Sequence, residues 1–388
     1  MNKTKILILA TVFLDVVGIG IALPVLPIYL HDITQSEFLT SAFFSLYSFF
    51  GFLSAPILGA MSDRYGRKPI LIGSLFGAVL GWIIFASGFS IWWLIAGRVI
   101  AGLASGNISA AQSALSDISQ NKAERMQNFG LIGATFGVAF IVGPALGGLL
   151  AESSMTLPFW VTAVLCLLNA IAVVFFFPET HLSRDPHHPI SFHPFASITK
   201  ALKHPETKPL IIVFFLVMMS FTLVQSLLSL YTYLTYQFTP AQNGILMASV
   251  GIIIAINQGF FLKKVWMRFF NEWQMQVLFL GVLILTNLLI AVGNWWLFCL
   301  AMFLFPFAQS TLRVVLVNEI TEITHEKGRG EVLGVTQSLM FLASILSPLF
   351  GGWVFEFGGA YPWLFGAVMM VAAFGVFMVS QKKEPEAV

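Results

Sequence analysis

The chain has 388 residues, of which 57% are hydrophobic and only 10% charged, with a formal net charge of +2. Ordinary soluble domains carry roughly 25% charged residues, so this composition excludes a soluble globular protein and reads as an all-α polytopic membrane protein. The few positive charges are spread along the chain rather than clustered, so they give no sign of a nucleic-acid partner, none is expected, and the lipid bilayer is the surrounding medium.

Crossing the hydrocarbon takes about 20 apolar residues. Twelve such runs follow one another, near 6–30, 41–61, 69–89, 92–115, 129–150, 158–177, 209–231, 243–262, 274–292, 295–318, 332–355 and 362–380. The first is too long for a signal-peptide core and lacks a cleavage site followed by polar sequence, so it reads as a retained helix. With the N-terminus inside, 18 of the 20 Lys and Arg fall in cytoplasmic segments, and the other two, Arg98 and Arg313, lie within runs. The opposite loops carry Asp32, Glu37, Glu152 and Glu356 instead. This bias and the even count place both termini in the cytoplasm. Cys166 and Cys299 sit inside apolar runs, so neither a disulfide framework nor a metal site is indicated, and no cofactor is expected.

One long connection, residues 178–208, divides the chain into bundles of six runs each, 1–177 and 209–388. It holds five of the seven histidines (His181, His187, His188, His193 and His204) and admits two readings: a metal or pH-sensing segment, or, favoured by the irregular spacing and interrupting prolines, a cytosolic linker with a short surface helix around Phe192–Leu202. An internal repeat supports the division. Trp92-Trp93-Leu94 returns as Trp295-Trp296-Leu297, and Gly143-Pro144 with Gly147-Gly148 returns as Ser347-Pro348 with Gly351-Gly352. The fold expected is twelve transmembrane helices in two pseudo-symmetric six-helix bundles, a pattern that places a substrate site near the midplane between them.

Within the runs, ionisable residues mark function. Asp15 lies roughly 13 Å into the first helix at 1.5 Å per residue, where an ionisable group is costly and faces the bundle interior. Burial favours its protonated form and a nearby cation favours the carboxylate. A carboxyl group between those influences can load and release protons; the competing reading is a permanent ion pair holding the first helix in place. Arg98 stays charged under any physiological condition and needs a partner or a water-filled cavity, with Asp15 the natural candidate although Arg98 lies nearer the opposite face. Between the second and third runs comes Gly59-Ala-Met-Ser-Asp63-Arg64-Tyr-Gly66-Arg67-Lys68-Pro69, whose four charges belong at a membrane surface. The fifth run carries Gly133 and Gly137, then Gly143, Pro144, Gly147 and Gly148, a bent helix built for close packing. Polar residues inside other runs, Asn107, Gln225, Gln309, Arg313 and Gln337, are candidates to line a substrate cavity. Arg313 either faces that cavity or snorkels to the cytoplasmic interface.

The charged loop, written G-x-x-x-D-R-x-G-R-K-P, resembles the signature between helices 2 and 3 of the major facilitator superfamily. The G-x-x-x-G and G-P-x-x-G-G pattern of the fifth run resembles that family's antiporter motif. Together with the repeat, these features are similar to the twelve-helix drug:proton antiporters, and to the tetracycline-exporter branch in particular. The resemblance implies a cytoplasmic gate of Gly59, Asp63, Arg64, Gly66, Arg67, Lys68 and Asp117, in which Asp63 caps a helix of the opposite half and Arg67 and Asp117 complete a charge relay. The equivalent loop of the second half, Lys263–Glu272, keeps basic charge but lacks the glycines and the aspartate. Tetracycline exporters also carry acids in helices 3 and 9, where this chain has Gly81-Trp82 and a neutral stretch from Val277 to Val292, so tetracycline itself is not expected as substrate.

The expected function is proton-coupled antiport by a monomer in the bacterial inner membrane, exporting a small amphipathic drug or metabolite by alternating access. Asp15 and Arg98 carry the proton coupling, and the partners are the substrate, protons and lipid. The alternative is proton-coupled uptake of an anionic nutrient or siderophore, with Arg98 and Arg313 as carboxylate anchors. No nucleophile–base pair or extramembrane domain suggests an enzyme.

Overall fold

The computed structural model describes residues 3–181, 195, 207–323 and 325–381, apart from the side chains of 122, 123, 126, 322–334 and 381. The linker residues His187, His188, His193 and His204, and nearly all of 192–202, lie outside the described residues. Among the described residues all regular structure is helical. A hydrocarbon solvent forces this, because every backbone N–H and C=O must be satisfied within its own segment. Twelve segments are long and apolar enough to cross a membrane: α1 (Lys3–Thr34), α2 (Glu37–Tyr65), α3 (Arg67–Ser87), α4 (Ile91–Asp117), α5 (Gln127–Ala151), α6 (Leu157–Phe176), α7 (Lys208–Tyr236), α8 (Pro240–Phe269), α9 (Glu272–Ala291), α10 (Trp295–Thr321), α11 (Val335–Phe355) and α12 (Tyr361–Ser380).

Three spans are not regular. α1 breaks after Ala22 and resumes at Leu26, around Pro24. α4 breaks after Leu103 and restarts at Asn107, and α8 widens into a π-helix over Asn257–Trp266. The repeat is visible in the backbone. Left-handed residues end α1 at Gln35 (φ 51°) and α7 at Gln237 (φ 57°), and Gly88 (φ 59°) is matched by Gly293 (φ 73°). Interior prolines 144 and 348 occupy corresponding places in α5 and α11.

The chain forms two compact units. The first contains Met1–Gln35, Leu46–Pro194 and Phe238–Gly251, and the second contains Ser36–Ser45, Phe195–Gln237 and Ile252–Val388. These differ from a cut at the linker by two exchanged segments, the starts of α2 and α8. In the first unit, Ile8, Val12, Val16 and Ile21 of α1 pack with Leu71 and Leu75 of α3, Ala110 and Ala114 of α4, Ala139 of α5 and Val173 of α6. In the second, the Tyr231 ring meets Trp363 edge-on at 5.0 Å and its hydroxyl donates to the Ile290 carbonyl at 2.9 Å.

Lipid tails are as apolar as leucine, so burial alone does not hold such helices together; close contact at small residues does. A methyl group on Gly147 would overlap the backbone of Ile21 in α1, and one on Gly148 or Gly244 would collide with backbone across the α5–α8 contact. Within the second unit, Gly352 lies against Ser41, and Ser45 Oγ donates to the Ile345 carbonyl at 2.7 Å. The other antiporter-pattern glycines behave differently, because Gly133 and Gly137 have nothing within 4 Å of an added Cβ. Gly147→Ala should therefore destabilise the protein by about 1–3 kcal/mol through overpacking, while Gly137→Ala should leave it unchanged. Thermal denaturation of the two purified variants in detergent measures the contrast, and equal midpoints would contradict the assigned packing.

Candidate functional site

The turn between α2 and α3 is built around Gly66, whose φ of 105° is accessible only to glycine without strain. It reverses the chain within one residue and brings Asp63, at the end of α2, beside Arg67, at the start of α3. Arg67 Nη1 lies 2.6 Å from Asp63 Oδ1 and 3.1 Å from Ser62 Oγ, while its Nε donates to Asp117 Oδ2 at 2.9 Å. The arginine is buried between two partly exposed acids. Exposed ion pairs contribute about 0–1 kcal/mol, but here one buried fork satisfies two carboxylates from two elements, which links the start of α3 to the end of α4.

Sequence reasoning missed two members of this cluster. Glu179, just after α6, accepts the backbone N–H groups of Arg67 at 2.9 Å and Lys68 at 3.3 Å. It caps α3, where a carboxylate meets both orphan donors and the positive end of the helix dipole. His181 Nδ1 stands 3.9 Å from Asp117 Oδ2. Neither residue carries a local signal, since each acts across more than sixty residues. Of the other expected gate residues, Arg64 lies over the Tyr65 ring at 5.4 Å and Lys68 contributes its backbone, while Gly59 has open space around it.

Asp15 is only 6% exposed, packed in α1 between α5 and α6. Its Oδ1 accepts a hydrogen bond from Asn107 Nδ2, and Oδ2 has no hydrogen-bond partner. Asn107 is the first residue of α4 beyond its break; the interruption at Ala104–Gly106 sets where its amide emerges. Arg98, 7% exposed, does not pair with Asp15. Its guanidinium carbon sits 4.7 Å from the Trp82 ring and 4.5 Å from the Phe85 ring, and Nε and Nη2 have no hydrogen-bond partner. The permanent ion pair considered from the sequence is therefore absent. Two cation–π contacts, each worth about 0.5–2 kcal/mol, replace it. Tyr47 of α2 lies within electrostatic reach of both Asp15 and Arg98, and a tyrosine inside an apolar run gave no hint of this.

In the second unit, Asn257 opens the π-helix of α8 and joins it to α10. It donates to Ser310 Oγ at 2.7 Å and Thr311 Oγ1 at 2.9 Å, and accepts from Trp266 Nε1 at 2.7 Å. Gln309 is buried with both amide atoms unpartnered, Gln225 is half-buried and Gln337 is exposed. Arg313 is exposed, with Nη2 4.0 Å from Met340 Sδ of α11. Among the described residues no group of three or more His, Cys, Asp or Glu side chains is placed to hold a metal ion.

Comparison with known proteins agrees with this architecture. The chain is 33% identical over 356 residues to the class C tetracycline resistance protein of Escherichia coli, covering 90% of this chain and 88% of that protein. It is 26% identical over 396 residues to multidrug resistance protein 2 of Bacillus subtilis, covering 100% of this chain and 98% of that one. The crystal structure of the nucleoside transporter NupG superposes with a TM-score of 0.79 at 15% identity, covering 99% and 100% of the two chains, a likeness of fold alone. The model of the Major Facilitator Superfamily matches residues 8–292 and 266–388, and the chain belongs to that family of membrane transporters.

Proposed function

We propose that this transporter is a proton-driven antiporter that exports a small amphipathic compound by alternating access, with both termini on the cytoplasmic side of the bacterial inner membrane. The observation that carries the proposal is Asp15: a buried carboxyl group with one oxygen held by Asn107, the other unpartnered, and no counter-ion among the described residues. A carboxylate left alone in low dielectric is costly, so the group takes up a proton when closed off from water and releases it when hydrated. Arg98 sits on its aromatic platform rather than on Asp15, so no ion pair traps the anion. The relatives named for tetracycline resistance and multidrug resistance support outward transport of a toxic compound. Tetracycline itself does not fit, because α3 and α9 are neutral at the positions where the exporters of that drug carry acids.

The Asp63–Arg67–Asp117 cluster serves as a gate that must break and reform in each cycle. Two expectations follow, both measured on purified protein in liposomes with a compound found by a thermal-shift ligand screen. Asp15→Asn should retain the ligand-induced thermal shift but lose at least 100-fold of solute-driven proton flux; uphill transport at the wild-type rate would refute the proton role. Arg67→Ala leaves two carboxylates without their shared cation and should lower transport at least tenfold. Arg67→Lys, which offers a point charge instead of a fork, should recover only part of the rate.

A further inference from the structure

Arg313 is a cation within a span that neither the proton site nor the gate uses. Its helix runs from Trp295 to Ile323, so Arg313 lies about 15 Å from one end and 27 Å from the other at 1.5 Å per residue. Gln309 is at the helix midpoint. Within its unit α10 is flanked by α7, the π-helix of α8, α9 and α11, yet Arg313 remains exposed. An ionisable side chain within a span is placed most cheaply on a face lined by water or protein, or with its head at the interface.

The direction of its side chain separates the two sequence-based readings. A single residue, 324, separates this helix from the next, which begins at His325. Arg313 Nη2 reaches the Met340 thioether of α11 at 4.0 Å, and a helical side chain leans toward the N-terminal end of its own helix, here the Trp295 end.

Once there, the guanidinium has almost nothing to hold. Among the described residues its one acceptor is the Met340 thioether, a weak one, against five N–H donors. Among the described residues no carboxylate pairs with it. The nearest acid on its own helix, Glu319, is one turn from the end and accepts the Gln276 amide at 2.6 Å. One turn from Arg313 on the same face stands Gln309, 3% exposed, with both amide atoms unpartnered. The Gln309 amide nitrogen and the Arg313 guanidinium are thus donors one helical turn apart, and neither has a strong acceptor among the described residues.

We propose that Arg313 and Gln309 receive an acidic group, a carboxylate or its equivalent, so that the exported compound is an amphipathic organic acid. A planar fork accepts a carboxylate through two parallel hydrogen bonds, and the Met340 side chain offers a soft apolar contact beside it. This inference names the substrate class of the transport function proposed above and rests on it.

The test compares 1-naphthaleneacetic acid with 1-naphthaleneacetamide, which share size and ring and differ in charge. Binding is titrated by thermal shift on the full-length purified protein, and uptake is followed in proteoliposomes. The wild type should bind the acid at least tenfold more tightly than the amide. Arg313→Gln should bring the two affinities together, and Arg313→Lys should keep an intermediate preference. Equal affinities in the wild type, an undiminished preference in Arg313→Gln, or no saturable binding of the acid would overturn the assignment. If Arg313→Gln fails to fold, the wild-type comparison and Arg313→Lys decide. Asp15→Asn separates the two levels of inference. It should keep the acid preference while losing proton coupling. Loss of the acid preference alone, with Asp15-dependent proton flux intact for another compound, would reject the acid site and leave the antiporter standing.

Discussion

Hydrocarbon supplies neither hydrogen bonds nor counter-ions, and nearly every feature of this protein answers to that shortage. Backbone groups meet it by folding into helices. Side chains meet it one at a time, by finding a partner within reach or by facing water. Asn287 and Thr222 use backbone carbonyls of their own helices, and Asn257 uses three hydroxyl and indole partners at once. The exceptions stand out against this thrift. Among the buried polar atoms without a hydrogen-bond partner are Asp15 Oδ2, the Arg98 Nε and Nη2 donors and the Gln309 amide, and leaving such a group unsatisfied costs about 1–3 kcal/mol.

The same shortage explains why packing falls to small residues. Where α5 meets α1 and the start of α8, glycines bring backbones within van der Waals distance of each other. An α5–α8 contact inside the first unit and an α2–α11 contact inside the second give each unit a segment from the other half of the sequence. Six helices from one stretch of chain are thus not the whole of either compact body. The two left-handed turns that end α1 and α7, at Gln35 and Gln237, stand immediately before these regions, and the repeated sequence reproduces the geometry in both halves.

Much of this architecture could be read before any coordinates, because its signals are local. Twelve apolar runs are a matter of length and composition, and the charged loop places four charges where only a surface can take them. The positive φ of Gly66 follows the same logic, since the loop pattern demands a glycine there. What remained hidden is long-range. Glu179 caps a helix that begins at Arg67, and nothing near Glu179 reveals this. Arg98 looked like the partner of Asp15 because opposite charges attract, but Trp82 and Phe85, themselves unremarkable in an apolar run, hold it elsewhere. The antiporter-pattern glycines looked equivalent in sequence. Only the neighbours decide that Gly143, Gly147 and Gly148 are packed while Gly133 and Gly137 face open space.

Glu179 has one more effect. With its carboxylate fixed on the first amides of α3 and His181 standing beside Asp117, the peptide that leaves the last helix of the first half starts from a moored position. The mooring post is the same few ångströms of protein that hold Arg67. Glu179 thereby ties the end of the first six-helix stretch to the same turn whose arginine holds Asp63 and Asp117.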